Sequence, residues 1–175
     1  MELWDIYDQD RIKTGRTIER GNVFTKGEYH LVIHVCIFNS EGKMLIQQRQ
    51  PWKHGWPGMW DITVGGSALA GENSQAAAQR EVSEEIGVQL DLSGQRPHFT
   101  FNFERGFDDY YFVKRDLDLQ NLSLQYEEVQ AVKWAGKEEI FHLLDDGEFI
   151  PYHRSLIELF FESRNSFTGA HKHTS

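Results

Sequence analysis

A single cysteine, Cys36, serves the whole 175-residue chain. This excludes an intrachain disulfide and any zinc site built on cysteine thiolates. It also fits a reducing, cytoplasmic setting. Positive charge is in short supply: 18 Lys and Arg face 27 Asp and Glu, for a formal net charge of −9. Nonspecific nucleic-acid binding needs clustered cations, so no nucleic acid is expected as a partner. An anionic small molecule is not excluded, provided that a local cation, such as a divalent metal, lets it approach acidic side chains. No apolar run nears the ~20 residues that a membrane helix requires. The acidic start MELWDIYDQD lacks a basic stretch followed by an apolar one, so neither a membrane span nor a signal peptide is expected.

What is present describes a globular chain, with 39% hydrophobic and 13% aromatic residues, enough for a sizeable core. One domain is expected over residues 1–166, with 167–175 a disordered tail. LWDIYD alternates as a strand, and DRIKTGRTIER suggests a hairpin turning near Gly15. YHLVIHVCIFN (29–39) and KMLIQQR (43–49) are strands joined by a turn at SEG. A Pro-, Gly- and Trp-rich loop leads to a strand WDITV ending at Gly65-Gly66. The pattern then turns helical from Asn73 to Ile86, with Asn73 or Ser74 as N-cap and Gly87 as terminator. HFTFNF (98–103), DYYFVKR (109–115, after a connecting RGFD) and EVQAVKWA (128–135) are further strands. Two helices follow, over 136–146 and 152–164. Strands mixed with helices in this order point to the α/β class, an α/β/α sandwich with an N-terminal β-hairpin.

The stretch REVSEEIGV (80–88) concentrates charge. Glu81, Glu84 and Glu85 fall on one helical face, and like charges at those spacings cost about 0.2–0.5 kcal/mol per pair. Ala77 falls in the same arc and leaves space above the carboxylates, while Ala78, Val82 and Ile86 form an adjacent apolar stripe. The glutamates therefore lie beside the core, not opposite it. Clustered carboxylate oxygens suit Mg²⁺ or Mn²⁺, which offsets the repulsion.

Extended upstream, the spacing is Gly66-x5-Glu72-x7-Arg80-Glu81-Val82-x-Glu84-Glu85-x-Gly87-Val88. With this segment, 66–88, the chain resembles the Nudix hydrolases at every position of their box. Arg80 can pair with Glu72 or a box glutamate and fix its orientation. The resemblance implies a Nudix-type sandwich with a mixed sheet. It also implies divalent-ion binding by Glu81, Glu84 and Glu85 with the Gly66 carbonyl, catalysis by these glutamates with Arg80, and hydrolysis of an organic diphosphate at its P–O–P bridge. A carboxylate must activate the water. Glu81 is favoured over Asp108, Asp109, Glu127 and Glu128. Oligomeric state is left open, homodimers being common in the family.

From the N-terminal hairpin through EEVQAVKWA, and most clearly over residues 29–66, YHLVIHVCIFNSEGKMLIQQRQPWKHGWPGMWDITVGG, the chain is similar to one branch in particular, the type 1 isopentenyl diphosphate isomerases. That similarity implies diphosphate contacts at Arg49 and Lys53. It also matches His30 to a metal-binding histidine, although a strand-end histidine reads equally well. The isomerases carry a catalytic cysteine where this chain has Gly65, and Cys36 lies inside an earlier strand and cannot replace it. The reading is therefore hydrolase, with isomerase and noncatalytic ligand-binding module as alternatives. Gly65 is expected to widen the site for a larger substrate. The aromatics Trp52, Trp56, Trp60, Phe101, Phe103, Tyr110 and Tyr111 divide between core and a surface that stacks a base or covers an isoprenoid chain. His98 and His153 read as structural or surface residues.

Overall fold

The computed structural model describes residues 1–167, 169 and 171. The expected tail, 167–175, lies largely outside them. The chain opens with an antiparallel hairpin, β1 (Leu3–Tyr7) and β2 (Lys13–Glu19). Its turn is not at Gly15. Asp8 Oδ1 accepts hydrogen bonds from the backbone N–H groups of Asp10 and Ile12, at 3.0 and 2.9 Å, and turns the chain there. Gly15, at φ +78°, sits inside β2 where the register slips between Asp5 and Tyr7, as in a bulge.

The main sheet holds β3 (His30–Phe38), β4 (Met44–Arg49), β5 (Trp60–Asp61), β6 (Val64–Ser67), β7 (Phe99–Phe103), β8 (Gly106–Lys114) and β9 (Val129–Ala135). Its central path runs β5-β4-β3-β8-β7, with β6 beside β3 and β9 beside β4. The β3–β8 pair is parallel and the others are antiparallel, so the sheet is mixed. β3 and β4 share one pair, Phe38 with Met44, and then fork. WDITV does not form one strand because the chain crosses this fork. Asp61 is laddered to β4 and Val64 to β3. Between them, Thr63 Oγ1 accepts from Ile37 N and donates to the Leu45 carbonyl, which ties the two branches together. RGFD likewise belongs mostly to β8, because parallel pairing with β3 already begins at Gly106. A Cβ on Gly106 would lie 2.2 Å from the His30 carbonyl oxygen, so the approach requires glycine.

Side chains of β3 alternate between two cores. Leu31, Ile33, Val35 and Ile37 pack with Ala77, Ala78, Val82 and Ile86 of α1 (Ser74–Ile86). Cys36 and Phe38 pack on the other side with Ile140 and Phe141 of α2 (Lys137–Asp145) and Ile157, Phe160 and Phe161 of α3 (Arg154–Ser163). Each fully buried Val or Ile contributes roughly 1.5–3 kcal/mol. The result is the expected α/β/α sandwich. A 3₁₀ turn at Leu119–Asn121 had no signal in the sequence. Among the described residues, no helix is long and apolar enough to cross a membrane.

Candidate active site

Helix α1 is set by its ends. The Asn73 side chain accepts from Ala76 N at 2.8 Å, and Gly87, at φ 72°, closes the last turn onto the Ser83 carbonyl. The apolar stripe fixes its rotation, and that rotation grades the three glutamates by depth. Glu85 is buried at 6% exposure, Glu81 retains 14% side-chain exposure and Glu84 retains 51%. Ala77 is fully buried in the core and does not line the space beside the carboxylates.

Arg80 gathers the segment. Its guanidinium donates to both Glu72 carboxylate oxygens (2.8 and 3.1 Å), to Glu81 (2.9 Å), to Glu84 (3.0 Å) and to the Ser67 carbonyl (3.1 Å). Burial opposes the charge, but hydrogen bonding to Glu72 and the charge of Glu81 prevail and raise its pKa. The expected pairing with Glu72 or a box glutamate is in fact pairing with both. Gly66 lies directly beneath Glu81: a Cβ there would fall 2.3 Å from the carboxylate.

Gly66, Ser67, Arg80 and the three glutamates Glu81, Glu84 and Glu85 line a cavity of about 160 Å³ together with Glu2, Arg20, Gln125 and Glu128, while Glu72 stays outside its wall. The fork in the sheet supplies the far side of Glu85. Gln47 Nε2 donates to the Thr63 carbonyl at 2.9 Å and to Glu85 Oε2 at 2.7 Å. Glu128 is ion-paired with Lys53 from the Trp-rich loop. Glu2 and Arg20 come from the two ends of the hairpin and pair at 2.8 Å. Sequence reasoning missed Glu2, Arg20 and Gln125, which line the cavity, and Gln47, which reaches Glu85 beside it. Hairpin pairing brings in the first two, the hydrogen bond from Gln125 N to the Glu85 carbonyl (2.9 Å) the third, and the β4 ladder Gln47. Burial pushes the Glu81 carboxyl up to about 7, against the pull of Arg80, and holds Glu85 well above the ordinary carboxylate range.

A second cavity, of about 350 Å³, shares the wall Gly65–Gly66–Ser67 with the first. Arg49, Trp56, His34, Asp61, Asp108, Tyr110 and Tyr152 contribute to it. Gly65 does not widen this site, because the His34 ring fills the space: a Cβ on Gly65 would lie 2.6 Å from Nδ1. His34 Nε2 meets Asp108 Oδ1 at 3.2 Å and its ring stacks on Tyr110. Asp61, raised in pKa by burial, takes hydrogen bonds from Tyr152 and Ile62 N on one oxygen, Oδ1. Trp56 is half-exposed at φ 52°, a backbone region that bulky residues rarely occupy.

Other candidates lie elsewhere. Asp109 is buried and held by Arg11, Thr100 and Ser74, leaving it a structural tie between hairpin, helix and sheet. Glu127 is exposed and lines neither cavity. His30 is sandwiched between Trp4 and Phe24, each 4.9 Å away, and does not line the carboxylate cavity. Cys36 is fully buried, and burial raises its thiol pKa. His98 stacks on Phe112, while His153 borders a third groove with Phe101 and Leu156. Tyr111 is core, Trp60 lies under Lys133, and Trp52 meets Tyr126 at the surface.

Among the described residues, no group of three or more His, Cys, Asp or Glu side chains forms a ready-made metal cage. The donor set still suits a hard divalent cation. Its donors are all oxygens, and Glu85 is buried with one amide as its side-chain partner. A buried carboxylate in that setting stays ionised only beside a cation. The bare backbone of Gly66 leaves room for Glu81 that any side chain would take.

The NUDIX domain family matches residues 28–160. An uncharacterized Nudix hydrolase of Listeria monocytogenes is 54% identical over 152 residues, 87% of this chain and 90% of that protein. An isopentenyl-diphosphate Delta-isomerase of Pectobacterium atrosepticum is 34% identical over 104 residues, 59% of this chain and 56% of that protein. A Deinococcus radiodurans protein of known crystal structure superimposes with a TM-score of 0.74 at 23% identity, over 90% of this chain and 98% of the other. At that identity the likeness speaks for the fold.

Proposed function

The chain belongs to the Nudix hydrolase family, and from that premise we propose that it is a metal-dependent hydrolase of the P–O–P bridge in a nucleoside-diphosphate-linked or other organic diphosphate. One observation carries this reading: Glu81, Glu84, Glu85 and Gly66 line a single cavity with Glu128 facing them. Family members generally cleave diphosphate bonds and typically use divalent metal ions. In this chain Glu81, Glu84, Glu85 and the Gly66 carbonyl would hold Mg²⁺ or Mn²⁺. When bound, the ion supplies polarisation of the phosphoryl oxygens and neutralisation of the leaving group.

The chain's own residues do the rest. Arg80 holds Glu81 and Glu84 in fixed rotamers, so their oxygens need little reorganisation. Arg49, in the wall of the second cavity, orients the diphosphate by bidentate donation, and Lys53, ion-paired with Glu128, adds a second positive charge beside the carboxylate cavity. A water oxygen bonds to one phosphorus, its proton passes to Glu81, and the bridging P–O bond breaks with its electron pair on the leaving phosphate. Glu81 is preferred as base because Arg80 and Gly66 fix its position, whereas Glu128 is already neutralised by Lys53. The N-terminal hairpin, through Glu2 and Arg20, works within the same domain.

A panel of diphosphates incubated with Mg²⁺ or Mn²⁺, read by released phosphate or monophosphate, tests the reading. Glu84→Gln should lower turnover at least about a hundredfold with the fold intact. Glu81→Gln should do the same, and Glu128→Gln should cost less. Full activity in excess chelator, or in both Glu81→Gln and Glu84→Gln, removes the carboxylate cavity from the mechanism.

A further inference from the structure

The tie between Gln47 and Glu85 carries an inference that rests on the hydrolase reading and deepens it. Gln47 lies in β4, which is laddered on both sides, to Asp61 of β5 and to Val132 of β9. It is buried at 4% exposure. Its amide has two N–H donors and two acceptors to meet: Nε2 reaches the Thr63 carbonyl at 2.9 Å and Glu85 Oε2 at 2.7 Å. The reverse orientation would set the amide oxygen against a carbonyl and a carboxylate, so the donors belong on this side. Thr63 is fixed in turn, fully buried and bonded through Oγ1 to both branches of the fork. Among the described residues, no other group donates to the Glu85 carboxylate.

The choice of donor matters. Glu81 and Glu84 are held by the Arg80 guanidinium, whose charge offsets theirs. Glu85 is held by a neutral amide, which orients a carboxylate without cancelling its attraction for a cation. With Oε2 engaged, Oε1 is the oxygen left without a protein donor, and Glu85 lines the carboxylate cavity. Ligation through one oxygen suits Mg²⁺ or Mn²⁺, which favour octahedral shells. Ca²⁺ takes a looser shell of roughly six to eight oxygens and accepts both oxygens of one carboxylate. We propose that Gln47 is a positioning residue: it holds Glu85 so that a single oxygen is offered to the cation, and thereby favours Mg²⁺ or Mn²⁺ over Ca²⁺.

The test follows Mn²⁺ binding to the full chain through the EPR signal of free Mn²⁺, alone and in competition with Ca²⁺. Gln47→Met keeps the length of the side chain but donates nothing, and it should weaken Mn²⁺ binding at least about tenfold. Ca²⁺ should lose less, because it can use the released oxygen, so the preference for Mn²⁺ should fall at least about threefold. Gln47→Asn carries the same amide on a stem too short to span Thr63 and Glu85, and should behave like Gln47→Met. Thermal melts report whether each variant folds. If neither does, the wild-type chain decides: the slowly exchanging side-chain amide protons of Gln47, seen by ¹H–¹⁵N NMR, should shift and stay protected when Mg²⁺ is added. Loss of that protection would mean that Glu85 leaves Gln47 to meet the cation, and overturns the proposal. Equal weakening of both ions in a folded variant, or no weakening, also overturns it and leaves the hydrolase reading standing. Absence of Mn²⁺ binding by the wild-type chain overturns the metal-dependent reading and this inference with it.

Discussion

The backbone of Gly66 passes so close beneath Glu81 that a Cβ at position 66 would stand 2.3 Å from the carboxylate carbon. The obstructed group is the end of a side chain, so Gly66→Ala is expected to fold, with Glu81 pushed off the Arg80 guanidinium. Hydrolysis should drop at least about a hundredfold, while melting temperature falls by only a few degrees. Assay and thermal melt on the same preparation check this. Wild-type turnover in Gly66→Ala would mean that the position of Glu81 does not matter.

Stability without metal should depend on pH in an unusual direction. Burial raises the Glu81 carboxyl to about 7 and Glu85 well above its ordinary range. An acid whose folded pKa exceeds its unfolded value contributes fully below the unfolded value, near 4.3, and loses that contribution as pH rises through the folded one. At about 1.4 kcal/mol per pH unit, Glu81 alone accounts for on the order of 3 kcal/mol between pH 4.5 and 8. Melts in EDTA should therefore fall in temperature from pH 5 to pH 8, with Mn²⁺ restoring more at pH 8. Glu85→Gln should melt higher than wild type in EDTA at pH 8, and be inactive. A flat pH profile, with no gain in Glu85→Gln, would contradict the buried-charge account.

Among the described residues, the Arg49 side chain makes one hydrogen bond, from Nε to the Gly55 carbonyl at 2.9 Å, and it borders the second cavity. Arg49→Ala is expected to raise KM about tenfold or more, with little thermal loss. Steady-state kinetics beside a melt decides it. Normal kinetics with a large melting shift would assign Arg49 to loop structure.

The similarity to isopentenyl-diphosphate isomerases breaks at one catalytic position, where this chain has Gly65. An acid–base group typically supplies about 10²–10⁴-fold in rate, and here the place of that side chain is taken by the His34 ring. No interconversion of isopentenyl and dimethylallyl diphosphates is expected. Gly65→Cys should fail to create it, because its Cβ would meet Nδ1 at 2.6 Å. Proton NMR of isopentenyl diphosphate with the protein and Mg²⁺ would reveal the isomer if another residue carried the reaction.

The box could be read from the sequence because its parts lie within one helix and the strand end and loop just before it, and within the helix spacing alone dictates the face. Asn73, Gly87 and the stripe Ala78, Val82 and Ile86 all sit as expected for that reason. The hairpin turn was misplaced because a glycine in a bulge and a glycine in a turn look alike, while the Asp8 carboxylate did the turning. WDITV alternated like one strand because alternation carries no information about which neighbour each residue pairs with, and Thr63 sits where the neighbour changes. His34, Gln47 and Asp61 were invisible as site residues for the same cause. Each reaches the site through register with a strand distant in sequence. The depth of Glu85 against the openness of Glu84 also needed the packed helix, since the wheel gives angle without burial.

Among the described residues strand β6 pairs with β3 alone, yet its residues Gly65–Ser67 serve as the partition between two chambers. A shift of this short segment to admit a group on one side necessarily alters the other. A ligand that moves this segment on one side would change the affinity of the other chamber, and linkage makes such a change reciprocal. A ligand that moves the partition would turn two recognition events into one equilibrium: a tighter grip on the metal side would change, by the same factor, the grip on whatever fills the other side.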